Sequence, residues 1–99
     1  MTDDDSFRAL WSHGALQALR AMRDSAKTSA QKLAIAHALK TLDHRLRRDP
    51  LNVGEIYSKK GGVVHHLAAF ECLAINFAVD IERKLVVVRL ATQLFQRRF

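Results

Sequence analysis

Cysteine is nearly missing from this chain of 99 residues, which contains only Cys72. A single thiol forms no internal disulfide, and a CxxC metal site needs two thiols. Long apolar runs are missing as well, because none approaches the roughly 20 residues of a membrane-spanning helix. The first residues, MTDDDS, are acidic, whereas a secretory signal begins with basic residues and continues with apolar ones. We therefore expect a cytoplasmic protein that has no disulfide and does not contact a membrane.

Glycine and the larger aromatic residues are also scarce. The pair Gly61-Gly62 is a turn with no helix after it, so the sequence contains no glycine-rich loop that could hold a phosphate. Trp11 and Tyr57 are the only aromatic residues other than phenylalanine. Neither forms a stacking platform with a neighbour in the sequence, which argues against RNA recognition of the RNP type.

Acidic residues are fewer than basic ones, with 10 aspartates and glutamates against 16 lysines and arginines. The net charge is +6, and three of the acids lie at positions 3–5, so the rest of the chain carries +9. A basic protein is expected to bind an acidic partner, either a nucleic acid or an acidic protein. The length corresponds to one domain. We assign residues 1–6 to a flexible acidic leader, 7–92 to the domain and 93–99 to a basic C-terminal tail.

Apolar side chains alternate along the second half of the chain, which is typical of antiparallel strands with one buried face. The clearest strand covers 73–80, and a strand over 85–91 follows it after a polar connection of hairpin length. An earlier strand covers 63–70, after the double-glycine turn. A weaker, polar strand over 53–59 is expected at an edge. The segment 7–11 is either a first strand or the start of a helix.

Two helices are predicted before these strands. Ser12 is the expected N-cap of the first, and Thr28 with Gln31 has the spacing of a capping box for the second. Asp49-Pro50 ends the second helix, because the residue before a proline is disfavoured in helical conformation. We therefore predict an α+β fold, with a helical hairpin packed on a twisted, mainly antiparallel sheet of four or five strands. The predicted core contains Ile35, Leu39, Leu42, Leu73, Ile75, Phe77, Val86 and Val88.

Three groups of residues carry a resemblance to a known family. They are the opening Trp11-Ser12-His13-Gly14-Ala15-Leu16, the passage Asp49-Pro50-Leu51 followed by Gly54-Glu55, and the hairpin that begins at Leu73. In this order they resemble the RelE/ParE toxin superfamily of bacterial type II toxin–antitoxin systems. The resemblance implies a small basic toxin that is neutralised by an acidic antitoxin protein. Some members of that family cut messenger RNA on the ribosome, and others poison DNA gyrase.

The sequence departs from the family pattern at several positions. RNA-cutting members commonly have arginine on the central strand, where this chain has His65-His66, and His13 stands where proline is common. Family tails often place a tyrosine or histidine after the last strand, and residues 92–99 contain neither. Three functions therefore stay open: a toxin that cleaves ribosome-bound mRNA, a toxin of the same fold that binds a protein such as DNA gyrase, and an inactive relative that acts as a binding module.

Cleavage of RNA through its own 2′-hydroxyl needs proton transfer and a cation beside the phosphate. We predict that His65 transfers the proton, Lys60 adds positive charge and Arg89 holds the phosphate. Arg89 interrupts the apolar run of the last strand, so it must face water or a partner. A salt bridge from Arg89 to Asp80 or Glu82 is the alternative interpretation.

The other basic residues are predicted to contact nucleic acid. They lie beside the glycine turn, at the end of the second helix and in the tail: Lys59, Arg45, Arg47, Arg48, Arg97 and Arg98. For the residues at the helix end, the alternative is a favourable interaction with the helix C-terminus in solvent.

Neither a metal nor a cofactor is expected. His37 and His44 share a helix face but lie two turns apart, roughly 10 Å by helix rise, and no carboxylate or thiolate converges on them. His65 and His66 are adjacent on a strand and point to opposite faces, so at most one of them faces a given site. If the chain is an enzyme, we expect a metal-independent endoribonuclease.

Overall fold

The computed structural model describes residues 6–94, so most of the predicted leader and tail, including Arg97 and Arg98, lies outside the described residues. The segment 7–11 forms a strand, and the predicted edge strand begins two residues later than expected. In chain order the elements are β1 (Arg8–Trp11), α1 (His13–Ser25), α2 (Ser29–Arg48), a short 3-10 helix (Pro50–Asn52), β2 (Glu55–Lys60), β3 (Val63–Phe70), β4 (Leu73–Asp80) and β5 (Leu85–Gln93).

Both helices begin at the hydroxyl residues that the sequence indicates. The Oγ of Ser12 accepts a hydrogen bond from the backbone N–H of Ala15 at 3.1 Å. The Oγ1 of Thr28 accepts one from the N–H of Gln31 at 3.1 Å. The side chain of Gln31 accepts from the N–H of Lys27, one residue before the expected position in a capping box. These bonds satisfy N–H groups that the first turn of a helix otherwise leaves without partners.

The five strands form one sheet in the order β1-β5-β4-β3-β2. The three pairs from β2 to β5 are antiparallel, and β1 alone runs parallel to its neighbour β5. Gly61 and Gly62 join β2 to β3 with φ values of +59° and +83°. Positive φ at two successive residues suits the right-handed twist of a tight hairpin, and only glycine adopts it without strain.

The helices cover one face of this sheet, and the core lies between them. Phe77, Val79, Val86 and Val88 are completely buried, and they pack in one cluster with apolar side chains of α1 and α2. The predicted core is confirmed except at Leu39, which is only partly buried at the edge of that cluster. Along β3, β4 and β5, every second side chain therefore packs against the helices. The side chains between them lie on the opposite face of the sheet.

His66 is a polar residue within this core. Its ring is completely buried and stacks on Phe77, with ring centroids 4.7 Å apart. The Nδ1 of His66 lies 3.0 Å from the carbonyl oxygen of Val53, to which it donates as Nδ1–H. The residue after Val53, Gly54, has φ +70°, and a Cβ there would clash with the carbonyl oxygen of Leu67. The segment before β2 is thus held closely against β3.

Burial lowers the pKa of His66 from its ordinary value of 6.5, and the neighbouring His65 lowers this pKa further. The hydrogen bond to Val53 acts in the opposite direction but is the smaller effect. The folded protein therefore holds His66 neutral under conditions in which the unfolded chain already binds a proton. Because the folded pKa is the lower one, this contribution to stability is present well above pH 6.5 and is lost as the pH falls towards the folded value.

We expect the free energy of unfolding to fall between pH 7.5 and pH 5.5, with a slope of at most about 1.4 kcal/mol per pH unit from this single proton. Urea unfolding at the two pH values measures the loss. His66→Phe keeps a ring against Phe77 and should reduce the loss, although it also removes the bond to Val53. His37→Gln removes an exposed histidine of α2 and serves as the control. An equal loss in the wild type and in His66→Phe would contradict this account.

Candidate functional site

The face of the sheet that the helices leave uncovered, called the open face below, brings together residues from all five strands. Its central row is set by the strand register, in which Leu10 pairs with Val87, Val87 with Ala78, Ala78 with His65 and His65 with Ser58. The open face also carries these residues: Tyr57, Lys60, Leu67, Asn76, Arg89 and Leu90. The open face is therefore the side of the sheet on which strand residues are accessible to a substrate.

His65 and His66 separate as alternation requires. His66 is buried towards the helices, whereas His65 is partly exposed on the open face, beside the ring of Tyr57. The question of which histidine faces the open side is therefore answered in favour of His65. The centroids of the Tyr57 and His65 rings are 6.0 Å apart, and their planes are inclined at 45°.

Lys60 lies on the same face as His65. It pairs with Val63, which is two residues before His65 and so points to the same side of β3. Lys59 pairs with the buried residue Val64, so its side chain leaves the strand on the opposite side. The two adjacent lysines therefore leave β2 on opposite sides of the sheet. Both are exposed, and both line the shallow depression beside the Gly61-Gly62 turn.

Arg89 occupies a bulge in β5. Phe77 pairs with Val88 and Asn76 with Leu90, so Arg89 is the extra residue between them. A bulge reorients the side chain at the extra position, and the side chain of Arg89 is exposed. Within residues 6–94, Arg89 makes no ion pair with Asp80 or Glu82, and the salt bridge at Asp80 is with Arg83 at 3.9 Å.

Ser12 holds the backbone of this bulge. Its N–H donates to the carbonyl oxygen of Val88 at 2.9 Å, and its Oγ–H donates to the carbonyl oxygen of Arg89 at 3.1 Å. The same Oγ caps α1 by accepting from Ala15. One hydroxyl therefore fixes the start of α1 relative to the residue predicted to hold phosphate.

Two residues of the open face were missed by the sequence analysis, Tyr57 and Asn76. A register shift between Ile56 and Ser58 makes Tyr57 the extra residue of a second bulge. Its phenol reaches across β3 to the amide of Asn76: Nδ2 lies 2.9 Å from the phenol oxygen, and the phenol lies 3.2 Å from Oδ1. Asn76 could have been singled out from the sequence, because it is the one amide side chain in the alternating segment that forms β4. The contact between the rings of Tyr57 and His65 could not be predicted from nearby residues of the chain, since His65 lies on another strand.

The arginines at the end of α2 do not join this face. The Nε of Arg47 donates to Asp43 at 2.9 Å, and its Nη2 lies 3.5 Å from the carbonyl oxygen of Ala9. The guanidinium of Arg45 lies over the ring of Phe70, 5.6 Å from the centroid. Arg48, also on α2, is exposed on the helix side. The predicted nucleic-acid contacts are thus divided between two sides of the molecule, and Arg47 has a structural role in the ion pair.

Asp43 is the centre of that structural contact. Its Oδ1 accepts the indole Nε1–H of Trp11 at 2.9 Å, while Oδ2 accepts from Arg47. The carboxylate thereby joins α2 to β1, the strand that is attached to the sheet through β5 alone.

Among residues 6–94, no group of three histidine, cysteine, aspartate or glutamate side chains is placed to hold a metal ion. None of the helices in the same range is long and apolar enough to cross a membrane.

Comparison with known proteins identifies the fold. Neither a protein-family model nor a curated protein sequence matches the chain. A chain of the RelBE2 toxin–antitoxin complex of Mycobacterium tuberculosis superposes with a TM-score of 0.65 and 16% identity, over 94% of this chain and 97% of that one. A chain of the archaeal RelE–RelB complex of Pyrococcus horikoshii OT3 superposes with a TM-score of 0.62 and 10% identity, over 92% and 98%. The chain therefore has a RelE-like fold.

Asp43→Ala should lower the free energy of unfolding by about 1–2 kcal/mol, because the part-buried indole N–H and the Arg47 guanidinium both lose their acceptor. Asp24→Ala, which removes an exposed carboxylate from α1, is the matched control and should change stability by less than about 0.5 kcal/mol. Urea unfolding at pH 7.5 measures both. Equal stability of the two variants would show that Asp43 does not join β1 to α2 energetically.

Proposed function

We propose that this protein is the toxin of a type II toxin–antitoxin pair and that it cleaves ribosome-bound messenger RNA on its open face. The observation that carries the proposal is the presence of Lys60, His65 and Arg89 on one uncovered face of a RelE-like fold. The overall positive charge supports an RNA substrate, since phosphates dominate the affinity of proteins for nucleic acids. A ribosomal target would place the protein in the cytoplasm.

The chemistry requires only the protein, the RNA and solvent water. The 2′-oxygen forms a bond to phosphorus as the bond from phosphorus to the 5′-oxygen breaks. His65 takes the proton of the 2′-hydroxyl, and the departing 5′-oxygen takes a proton from solvent water. Arg89 and Lys60 stabilise the negative charge that grows on the phosphoryl oxygens. Histidine suits the proton transfer because its ordinary pKa lies near neutrality.

The spacing of Arg89 and His65 fits a single phosphodiester. Arg89 lies on β5 and His65 on β3, with β4 between them. Adjacent strands are about 4.8 Å apart, so the two residues are separated by roughly 10 Å across the sheet. Long side chains reaching inwards from both positions leave room for a phosphate between them. Lys60 lies on β2 opposite Val63, on the side of His65 away from Arg89, and would reach the phosphate from there with its long side chain.

We propose an acidic antitoxin as the protein partner. The two solved structures compared above are toxin–antitoxin complexes. The outer edges of β1 and β2 have no neighbouring strand in the described chain, and such edges accept an added strand from a partner. A segment that is disordered until it binds could cover both an edge and the basic surfaces. Arg45, Arg48 and Lys59 are available to the antitoxin or to ribosomal RNA.

The second candidate function is binding of a protein target, such as DNA gyrase, by a toxin of this fold or by an inactive relative. The apolar character of the open face favours it: Leu10, Leu67 and Leu90 are 48%, 52% and 61% exposed. Exposed apolar patches commonly mark protein interfaces. His65 at a position where the RNA-cutting members commonly have arginine also favours this candidate.

Induction of the protein without its antitoxin should stop growth and produce cleaved mRNA on ribosomes. His65→Ala and Arg89→Ala should each reduce cleavage by about 10²–10⁴-fold and relieve the arrest, because each removes a positioned group from the reaction. Cleavage is measured by mapping the 5′ ends of ribosome-bound mRNA. Circular dichroism and capture of the antitoxin confirm that the variants fold.

His37→Ala and Arg20→Ala remove an exposed histidine and an exposed arginine from the helices, and both should keep full activity. Growth arrest with intact mRNA, unchanged in the His65 and Arg89 variants, would contradict the ribonuclease proposal and support a protein target.

A further inference from the structure

A small depression on the open face shares Arg89 with the proposed catalytic residues, and its other lining residues have no part in the reaction. It is lined by Tyr57, Asn76, Arg89 and Leu90. We propose that this depression, called the base pocket below, binds one unpaired nucleobase of the RNA. The inference deepens the proposed function and rests on it.

The floor of the base pocket is an aromatic ring held in one orientation. The two contacts between Tyr57 and Asn76 fix the phenol end of the ring over β3, while 52% of the residue remains exposed. The ring of His65 is inclined at 45° and does not stack flat on it. A ring that is fixed but not covered can stack with a base at a low entropic cost.

The other two sides of the base pocket complement a nucleotide. Leu90 is directly opposite Asn76 in the register and is 61% exposed, so it offers an apolar wall that a base would cover. Arg89 is the next residue, in the bulge, with no ion pair among residues 6–94. Its guanidinium can contact the phosphate of the same nucleotide or lie against the base. Stacking surface and positive charge are the two features of sites for single-stranded nucleic acid.

Asn76 adds a polar group that can touch the edge of a base. After its contacts with the phenol of Tyr57, the amide retains one N–H and one oxygen lone pair. In double-stranded RNA the paired bases do not offer their Watson–Crick edges, whereas an unpaired base can be turned out and bonded there. The base pocket therefore fits single-stranded RNA and not a duplex.

The position of the base pocket relates it to the site of cleavage. Asn76 and Ala78 lie two residues apart on β4, and Ala78 pairs with His65. A base held over Asn76 would place an adjacent phosphodiester near His65, since two residues of a strand span about 7 Å. The base pocket would then select which phosphodiester reaches the catalytic histidine.

Binding can be tested separately from cleavage with RNA that cannot react. The probe is a trinucleotide with 2′-O-methyl riboses, compared with the same trinucleotide lacking its middle base. Titration of the full chain, followed by NMR of the Asn76 side-chain amide and the backbone, should show at least about tenfold tighter binding of the intact probe. The largest shifts should occur at Tyr57, Asn76 and Leu90.

Tyr57→Ala and Leu90→Ala should each remove most of this preference, and Tyr57→Phe should keep most of it because the stacking surface remains. Leu10→Ala removes an exposed leucine from the far side of the open face and should leave the preference unchanged. Equal affinity for the intact and abasic probes, or no binding of either, would overturn the base pocket.

The same proteins are then tested for cleavage of ribosome-bound mRNA. A preference for the intact probe without cleavage would retain the base pocket and remove the ribonuclease proposal. Cleavage of mRNA without a preference for the intact probe would retain the ribonuclease proposal and remove the base pocket. Failure of the base pocket can thus be distinguished from failure of the ribonuclease proposal.

Discussion

The burial of one face of β4 under the helices is the constraint on which the rest of the structure depends. Phe77 is completely buried at its centre, against the ring of His66 on one side and next to Val88 on the other. Because successive side chains of a strand point to opposite faces, burying these residues forces His65, Asn76 and Ala78 outwards. A register slip of one residue would exchange the two sets and expose the core. The packing of the core thus determines which residues are available to a substrate.

Side chains on the open face are not stabilised by packing in the core. Exposed leucines contribute little to folding stability, and so does the arginine in the β5 bulge, which has no carboxylate partner among residues 6–94. The same features are suited to a ligand that is both aromatic and anionic, which is the chemical nature of a nucleotide. By contrast, the basic residues of α2 have structural roles at Arg47 and an aromatic contact at Arg45. Positive charge in the sequence therefore does not by itself identify the binding surface.

The sequence was sufficient for the fold because its strongest patterns are local. Alternation in β4, the caps at Ser12 and Thr28, and the stop at Asp49-Pro50 each depend on residues close together in the chain. The two bulges depend instead on pairing between strands, so the positions of Tyr57 and Arg89 relative to their neighbours could not be predicted. The partner of Asp43 could not be predicted either, since Trp11 lies 32 residues away. Alternation did predict that His65 and His66 point to opposite faces, and the structure has His65 on the open face with Lys60 and Arg89.

The chemical ends of the RNA fragments test the central claim most directly. Attack by the neighbouring 2′-oxygen leaves a 2′,3′-cyclic phosphate on one fragment and a 5′-hydroxyl on the other. We expect these ends when the purified protein is added to ribosomes that carry mRNA and the fragments are analysed by mass spectrometry. Fragments with a 3′-hydroxyl and a 5′-phosphate, or RNA that stays intact, would contradict the account.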